Sequence, residues 1–149
     1  MRSPVACAFT DGGMTHVPTG DQLSAITLFT DDLAVSRSFY EDVLELPCIF
    51  EDESSAAFRL GPAIVNLLAI PAAGELIYPG VVANRGSGAT FVLTIEVDDV
   101  DARCAQLATR KVTLLNGPID REWGVRTVSF ADPSGHIWEF AQELPADGR

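Results

Sequence analysis

The sequence predicts an α+β fold made of two β-α-β-β-β modules in tandem, and two observations support this prediction. First, the order of strand-like and helix-like patterns in residues 22–70 returns in residues 89–145. Second, an Asp-Asp pair precedes the helical pattern in both halves, with Asp98-Asp99 following Asp31-Asp32 at an offset of 67 positions. We expect mixed, curved sheets with the helices on their convex face.

Module one, residues 22–70, opens with the alternating segment LSAITLFT from Leu23, which predicts a strand. Asp31 and Asp32 then offer a helix cap, and apolar residues spaced three and four apart form a core stripe that ends before Pro47. The Gly61-Pro62 turn separates the last two of the three strands predicted next, at residues 48–51, 56–60 and 63–70.

Module two, residues 89–145, follows a stretch rich in Gly, Pro and Ala, residues 71–88, which is interpreted as a linker. It begins with the strand ATFVLTIEV and a helical stripe after Asp99. Three strands are predicted near residues 112–115, 125–131 and 136–142, with a tight turn at Asp132-Pro133-Ser134-Gly135. A flexible arm (1–21) and a tail (146–149) flank this single domain, residues 22–145.

Composition fits one globular domain, since 47% of the 149 residues are hydrophobic and 21% are charged. The formal net charge of −11 opposes binding to nucleic acid and to anionic membranes, and it favours a cationic ligand. Cys7, Cys48 and Cys104 form no C-x-x-C pair, so neither a disulfide framework nor a thiolate zinc site is indicated. No apolar run reaches the roughly 20 residues that span a bilayer, and a cytoplasmic protein is expected.

Alternation along the strands divides each sheet between a helix side and a side that faces a ligand cleft. A slip of one residue in register would invert this division. The residues assigned to the cleft side are Ala25, Thr27, Phe29, Ile64, Asn66, Leu68, Val92, Thr94, Glu96, Ile137, Glu139 and Ala141.

Three segments carry a family resemblance: DDLAVSRSFYEDVLEL, EVDDVDARCAQL, and WGVRTVSFADPSGHIWEFAQ from Trp123 to Gln142. They resemble the vicinal oxygen chelate superfamily of glyoxalase I, extradiol dioxygenases and bleomycin-resistance proteins. The resemblance spans about Leu23 to Leu144. It implies paired modules that form a cup, commonly in a homodimer, with a small molecule as ligand.

Metal-using members of that family hold a divalent ion at four positions, one on the first and one on the last strand of each module. The corresponding positions here are Ala25, Asn66, Val92 and Glu139. Alkyl groups have no lone pair, and one carboxylate with one amide is a weak set for Ni²⁺, Zn²⁺ or Fe²⁺. His16 falls in the arm and His136 directly follows the tight turn. We therefore expect neither a metal nor a cofactor.

Glu139 is the candidate catalytic residue, because a carboxylate between Trp138 and Phe140 is costly without a partner. It either serves a ligand or makes a structural hydrogen bond to a Thr, to Arg126 or to the backbone, and Asn66 has the same two interpretations. In similar proteins the loop with Trp123 and Arg126 borders the ligand, so Trp123 either stacks on a flat ligand or caps the sheet edge. The candidate ligand-binding residues are Thr27, Phe29, Asn66, Val92, Thr94, Trp123, Arg126 and Glu139.

The preferred functional hypothesis is a metal-independent protein that sequesters an organic ligand, aromatic or cationic, as in the bleomycin-resistance branch. The competing hypothesis is an enzyme of the same superfamily, a lyase, isomerase or dioxygenase-like protein. Such an enzyme would use Glu139 as a general base or hold a metal through ligands that the sequence does not reveal. A third hypothesis is a structural dimer whose cleft is filled by side chains.

Overall fold

The computed structural model describes residues 21–146, which fall into two compact units that meet in sequence between Ala83 and Asn84. Each unit contains one four-stranded mixed sheet with a helix between its first two strands. This arrangement confirms the predicted α+β class and the repeated β-α-β-β-β order. The predicted arm, with His16, and the predicted tail lie outside the described residues apart from Asp21 and Ala146.

Unit one has its strands in the spatial order β1-β4-β3-β2, with β1 parallel to β4 and the other neighbours antiparallel. The helix α1 continues directly into a π-helical turn, Phe39–Val43. The elements are β1 (Ala25–Thr30), α1 (Leu33–Ser38), β2 (Cys48–Glu51), β3 (Ser55–Leu60), β4 (Ala63–Ala69) and α2 (Ile70–Ile77).

The helix α1 begins where the Asp-Asp pair predicted it. The Asp32 side chain accepts a hydrogen bond from the Val35 backbone N–H at 3.2 Å, a cap that contributes about 1 kcal/mol. The hydroxyls of Thr30 and Ser36 lie 2.7 Å apart, which joins the end of β1 to the helix. The α1 helix therefore packs on the face of the sheet to which Thr30 points.

Unit two repeats this plan with the strand order β5-β8-β7-β6, and β5 is parallel to β8. A short 3₁₀ turn, Arg85–Ser87, precedes it. The elements are β5 (Val92–Glu96), α3 (Val100–Thr109), β6 (Leu114–Asp120), β7 (Val125–Ala131) and β8 (Ile137–Glu143).

The first turn of the helix α3 is capped by Asp99 and joined to its sheet by Gln142. Asp99 caps it by accepting from the Ala102 N–H at 3.1 Å, and the Gln142 side chain accepts from the Val100 N–H at 2.9 Å. The Arg103 guanidinium lies 5.1 Å from the centre of the Phe140 ring. Gln142 and Phe140 therefore mark the helix side of this sheet.

Two elements differ from the prediction. The start of the predicted linker forms α2, because Pro71 lies in the first helical turn, where a missing N–H costs nothing, and the fully buried Ala73 packs inward. The strand expected near 112–115 instead extends to Asp120. Its register shifts between Leu114 and Asn116 and again between Asn116 and Ile119, across Gly117-Pro118, and an edge strand tolerates such irregularities.

None of the helices in residues 21–146 is long and apolar enough to cross a membrane.

Candidate functional site

The strand register fixes which side chains share the face opposite each helix. Thr27 pairs with Asn66 across β1 and β4, and Thr94 pairs with Glu139 across β5 and β8. Thr30 and Phe140 lie on the helix sides, so alternation places Thr27 and Glu139 on the opposite faces. Within each sheet the helix side is the one that the alternation predicted. That the opposite side faces a ligand cleft stays a prediction.

Asn66 is a buried polar residue of unit one whose amide is only partly hydrogen-bonded. Only 4% of its surface is exposed, and its Nδ2 donates to the Thr27 hydroxyl at 3.3 Å. Its Oδ1 is buried and has no hydrogen-bond partner within residues 21–146. Turning the amide over would let Thr27 donate to the oxygen but would leave the NH₂ group unpaired instead. One end of the amide is therefore free in either orientation.

The surroundings of Asn66 are apolar. Its cross-strand neighbour in β3 is Ala57, which forms a buried cluster with Ile64, and Ala25 and Phe50 pack against this cluster. An unsatisfied carbonyl oxygen in such a setting costs about 1–3 kcal/mol.

Glu139 occupies the equivalent place in unit two. The Thr94 hydroxyl donates to Glu139 Oε1 at 2.9 Å, and Ser129 is the neighbour in β7. Within the described part of the chain, no arginine or lysine pairs with this carboxylate. Glu139 is therefore a partly buried carboxylate that is held by a neutral hydroxyl, and its Oε2 has no hydrogen-bond partner among residues 21–146.

The two units thus present the same motif in different chemistry. In each, a polar residue on the last strand hydrogen-bonds a threonine on the first, and an alkyl residue lies two positions before that threonine. The motif in unit one is Ala25, Thr27 and Asn66, and that in unit two is Val92, Thr94 and Glu139.

The remaining apolar candidates differ in exposure. Phe29 is partly buried beside Leu68, and half of the Val92 surface is exposed beside Ile137. Trp123 lies in the β6–β7 loop and is 70% exposed. Its indole therefore has area available for stacking.

Arg126 lies on the helix side of its sheet, away from the face that carries Glu139. Its Nε and Nη2 donate to Asp101 in α3 at 3.0 and 2.9 Å, and its Nη1 donates to Asp120 at 2.8 Å. These hydrogen bonds, first with Asp120 and then with Asp101, raise the pKa of Arg126 above its usual range. The structure does not bring Arg126 together with the other candidates, and its visible role is to hold α3 to β6 and β7.

Arg121, which the sequence analysis did not single out, is the arginine on the Glu139 face. Its Nε donates to the Thr127 hydroxyl at 2.9 Å, and Thr127 has the same strand parity as Ser129, the neighbour of Glu139. The sequence offers no direct signal for which of the two arginines, Arg121 or Arg126, lies on the Glu139 face. It depends on where the β6–β7 turn begins and ends.

The family's metal positions do not fit a transition metal in this chain. Ala25 and Val92 offer only hydrocarbon, and no group of three or more His, Cys, Asp or Glu within residues 21–146 is placed to hold an ion. His136 Nδ1 lies 2.8 Å from Asp132 Oδ2, so this histidine is engaged within the tight turn.

Comparison with known proteins agrees with the fold. The profile of the Glyoxalase/Bleomycin resistance protein/Dioxygenase superfamily matches residues 22–140. Among curated proteins, none matches significantly.

Similar solved structures share the fold. One is a glyoxalase/bleomycin resistance protein/dioxygenase from Nocardioides, at 24% identity and TM-score 0.75, with 94% of this chain and 93% of that chain covered. A protein of unknown function from Agrobacterium tumefaciens str. C58 has 27% identity and TM-score 0.71, with 85% and 97% covered. A lactoylglutathione lyase from Agrobacterium tumefaciens has 19% identity and TM-score 0.67, with 83% and 95% covered. By its profile match over most of its length, the chain belongs to the glyoxalase/bleomycin resistance protein/dioxygenase superfamily.

Proposed function

We propose that this chain binds a small organic molecule, aromatic or cationic, without a metal ion at the four family positions. The observation that carries the proposal is the unpartnered Oδ1 of Asn66, an acceptor kept in an apolar wall. A ligand N–H or O–H placed against it would recover the free energy that the folded protein loses there.

Glu139 supports a cationic or donor-rich ligand. Thr94 holds one carboxylate oxygen, and no basic side chain within residues 21–146 neutralises the charge. The net charge of −11 adds a field that attracts cations and repels anions at long range. Charge pairing with Glu139 would orient the ligand, while contacts with apolar and aromatic groups would supply most of the affinity.

The test is calorimetric titration with a panel of cationic glycopeptides, quinones and other flat natural products. We expect at least one saturable ligand, with affinity reduced about tenfold or more by Asn66→Leu. Thr30→Val is the control, since it removes a buried polar group on the helix side of the same sheet. A panel without any binder, or binding that Asn66→Leu leaves unchanged, would contradict the proposal.

Glu139→Gln separates a binding protein from an enzyme of the same superfamily. In a binding protein this change lowers the affinity for cationic ligands and leaves the affinity for neutral ligands unchanged. The control variant Glu143→Gln, on the same face of β8, should bind cationic ligands as tightly as the wild-type protein does. An enzyme with Glu139 as general base would lose turnover and keep substrate affinity. Stoichiometric binding of Ni²⁺, Zn²⁺ or Fe²⁺ that Glu139→Ala abolishes would exclude metal-independent binding.

A further inference from the structure

Arg121 is a guanidinium held in place by neutral groups alone. Its Nε donates to Thr127 Oγ1 at 2.9 Å and its Nη2 to Asn116 Oδ1 at 3.2 Å. The Arg121 backbone is fixed as well, since its N–H donates to the Val125 carbonyl at 2.7 Å across the β6–β7 turn. The orientation of the guanidinium is thus set before any ligand arrives.

The charge of Arg121 is not neutralised by the part of the chain that the structure describes. Arg126 binds Asp101 and Asp120, and Arg37 binds Glu41 and Glu51, but no carboxylate among residues 21–146 pairs with Arg121. A guanidinium has five N–H donors, and the protein uses two of them here. Three donors remain for a ligand, in a chain with twice as many acidic as basic residues.

An aromatic surface lies next to these free donors. The Arg121 guanidinium carbon is 5.9 Å from the centre of the Trp123 ring, and the indole is 70% exposed. A flat ligand can lie against the indole while its anionic group reaches the guanidinium. A planar carboxylate matches the fork of N–H groups, whereas a multiply charged phosphate would be opposed by the net charge of −11.

We propose that Arg121, with Trp123, is a recognition site for the carboxylate of an aromatic ligand. This inference rests on the proposed function and refines it, because the Arg121 anchor Thr127 is a diagonal cross-strand neighbour of Glu139. A ligand that bears both a carboxylate and a cationic or donor group would match this face of unit two. The proposed aromatic ligand would then carry a carboxylate as well.

The experiment titrates benzoate into ¹⁵N-labelled protein and follows the Arg121 Nε–H and Trp123 indole N–H signals by NMR. We expect saturable shifts of both signals and much smaller shifts with benzamide, the neutral analogue. Arg121→Gln should weaken benzoate binding about tenfold or more, because charge-assisted bidentate hydrogen bonds are lost. Arg121→Lys keeps the charge without the fork and should give an intermediate affinity.

Arg37→Gln is the matched control, since it removes one positive charge from a guanidinium that already binds two carboxylates in unit one. It should leave benzoate affinity unchanged. Equal binding of benzoate and benzamide to the wild-type protein would overturn the inference and requires no variant to fold. Benzoate affinity that is unaltered in Arg121→Gln would overturn it too. If these tests fail while Asn66→Leu still weakens binding of a panel ligand, the proposed function stands and only the carboxylate site is rejected.

Discussion

Replacing Asn66 by leucine tests whether this residue is kept for a ligand or for the fold. A residue kept for the fold has satisfied hydrogen bonds, and its removal destabilises the protein. Asn66 has one long hydrogen bond, 3.3 Å to Thr27, and a buried oxygen without a partner in the described chain. We therefore expect Asn66→Leu to leave the stability unchanged or to increase it while it weakens ligand binding.

The expected change in the free energy of unfolding follows from the two ends of the Asn66 amide. Losing the bond to Thr27 costs roughly 0.5–1 kcal/mol, at the lower end for a neutral pair because the bond is long. Removing the unsatisfied oxygen returns about 1–3 kcal/mol, so the free energy of unfolding should rise by about 0–2.5 kcal/mol. For a chain of this size the melting temperature moves by about 2–4 °C per kcal/mol.

Urea unfolding followed by far-ultraviolet circular dichroism measures this change, since the four-stranded sheet of unit one, which holds Asn66, contributes to that signal. Asn66→Ala guards against overpacking, because it removes the same oxygen without adding volume. Thr30→Val is the contrasting variant, since its hydroxyl has a 2.7 Å partner in Ser36, and it should lose about 1–3 kcal/mol. If both Asn66 variants lose 2 kcal/mol or more, Asn66 is structural and the reasoning fails.

Two further changes probe the turns and caps. Asp52 Oδ1 accepts hydrogen bonds from the N–H and hydroxyl groups of Ser54 and Ser55. Burial by itself would raise the pKa of Asp52, but these hydrogen bonds outweigh burial and lower the pKa below the ordinary value of 3.8. The stabilisation by Asp52 is thus fully present above pH 3.8 and is lost as the pH falls through the lower pKa of the folded state. Asp52→Ala should therefore lower the free energy of unfolding by about 1 kcal/mol at pH 7 and by progressively less in acid. Thermal melts across that range measure the change, and a cost that does not vary with pH would contradict the prediction. Asp99→Ala removes the α3 cap and should lower the free energy of unfolding, measured by urea unfolding, by about 1 kcal/mol. Asp98→Ala, one residue before the cap, should leave this free energy unchanged. Equal losses in the two variants would show that capping is not the cause.

Much of the fold could be predicted because its signals are local. The strands at residues 48–51 and 125–131 have the predicted bounds, since alternation and turn residues mark both ends. The helix α2 and the long β6 could not be predicted, because Pro and Gly appear there in positions that α2's first turn and an irregular edge strand accommodate.

The site was harder to predict because its contacts join distant residues. Asn66 and Glu139 were named from the sequence, but their threonine partners are 39 and 45 positions away. Only the register of parallel strands brings these pairs together. The face of the sheet on which each arginine lies depends on strand alternation. Arg126 lies on the face of Gln142 and α3, whereas Arg121 contacts Thr127 on the opposite face.

The hydrogen-bond polarity of the two threonine pairs limits what a ligand can offer. In unit one the Asn66 NH₂ is used by Thr27 and the oxygen is left; in unit two the Thr94 hydroxyl is used by one oxygen of Glu139 and the other is left. Taken separately, and with the Asn66 amide oriented as in the structure, each pair presents an acceptor, so the ligand group that meets it must be a donor. Arg121 presents donors, so the group that meets it must be an acceptor. A ligand whose N–H donors are methylated should accordingly lose affinity in the wild-type protein, and the loss should be smaller in Asn66→Leu, where the acceptor is already absent.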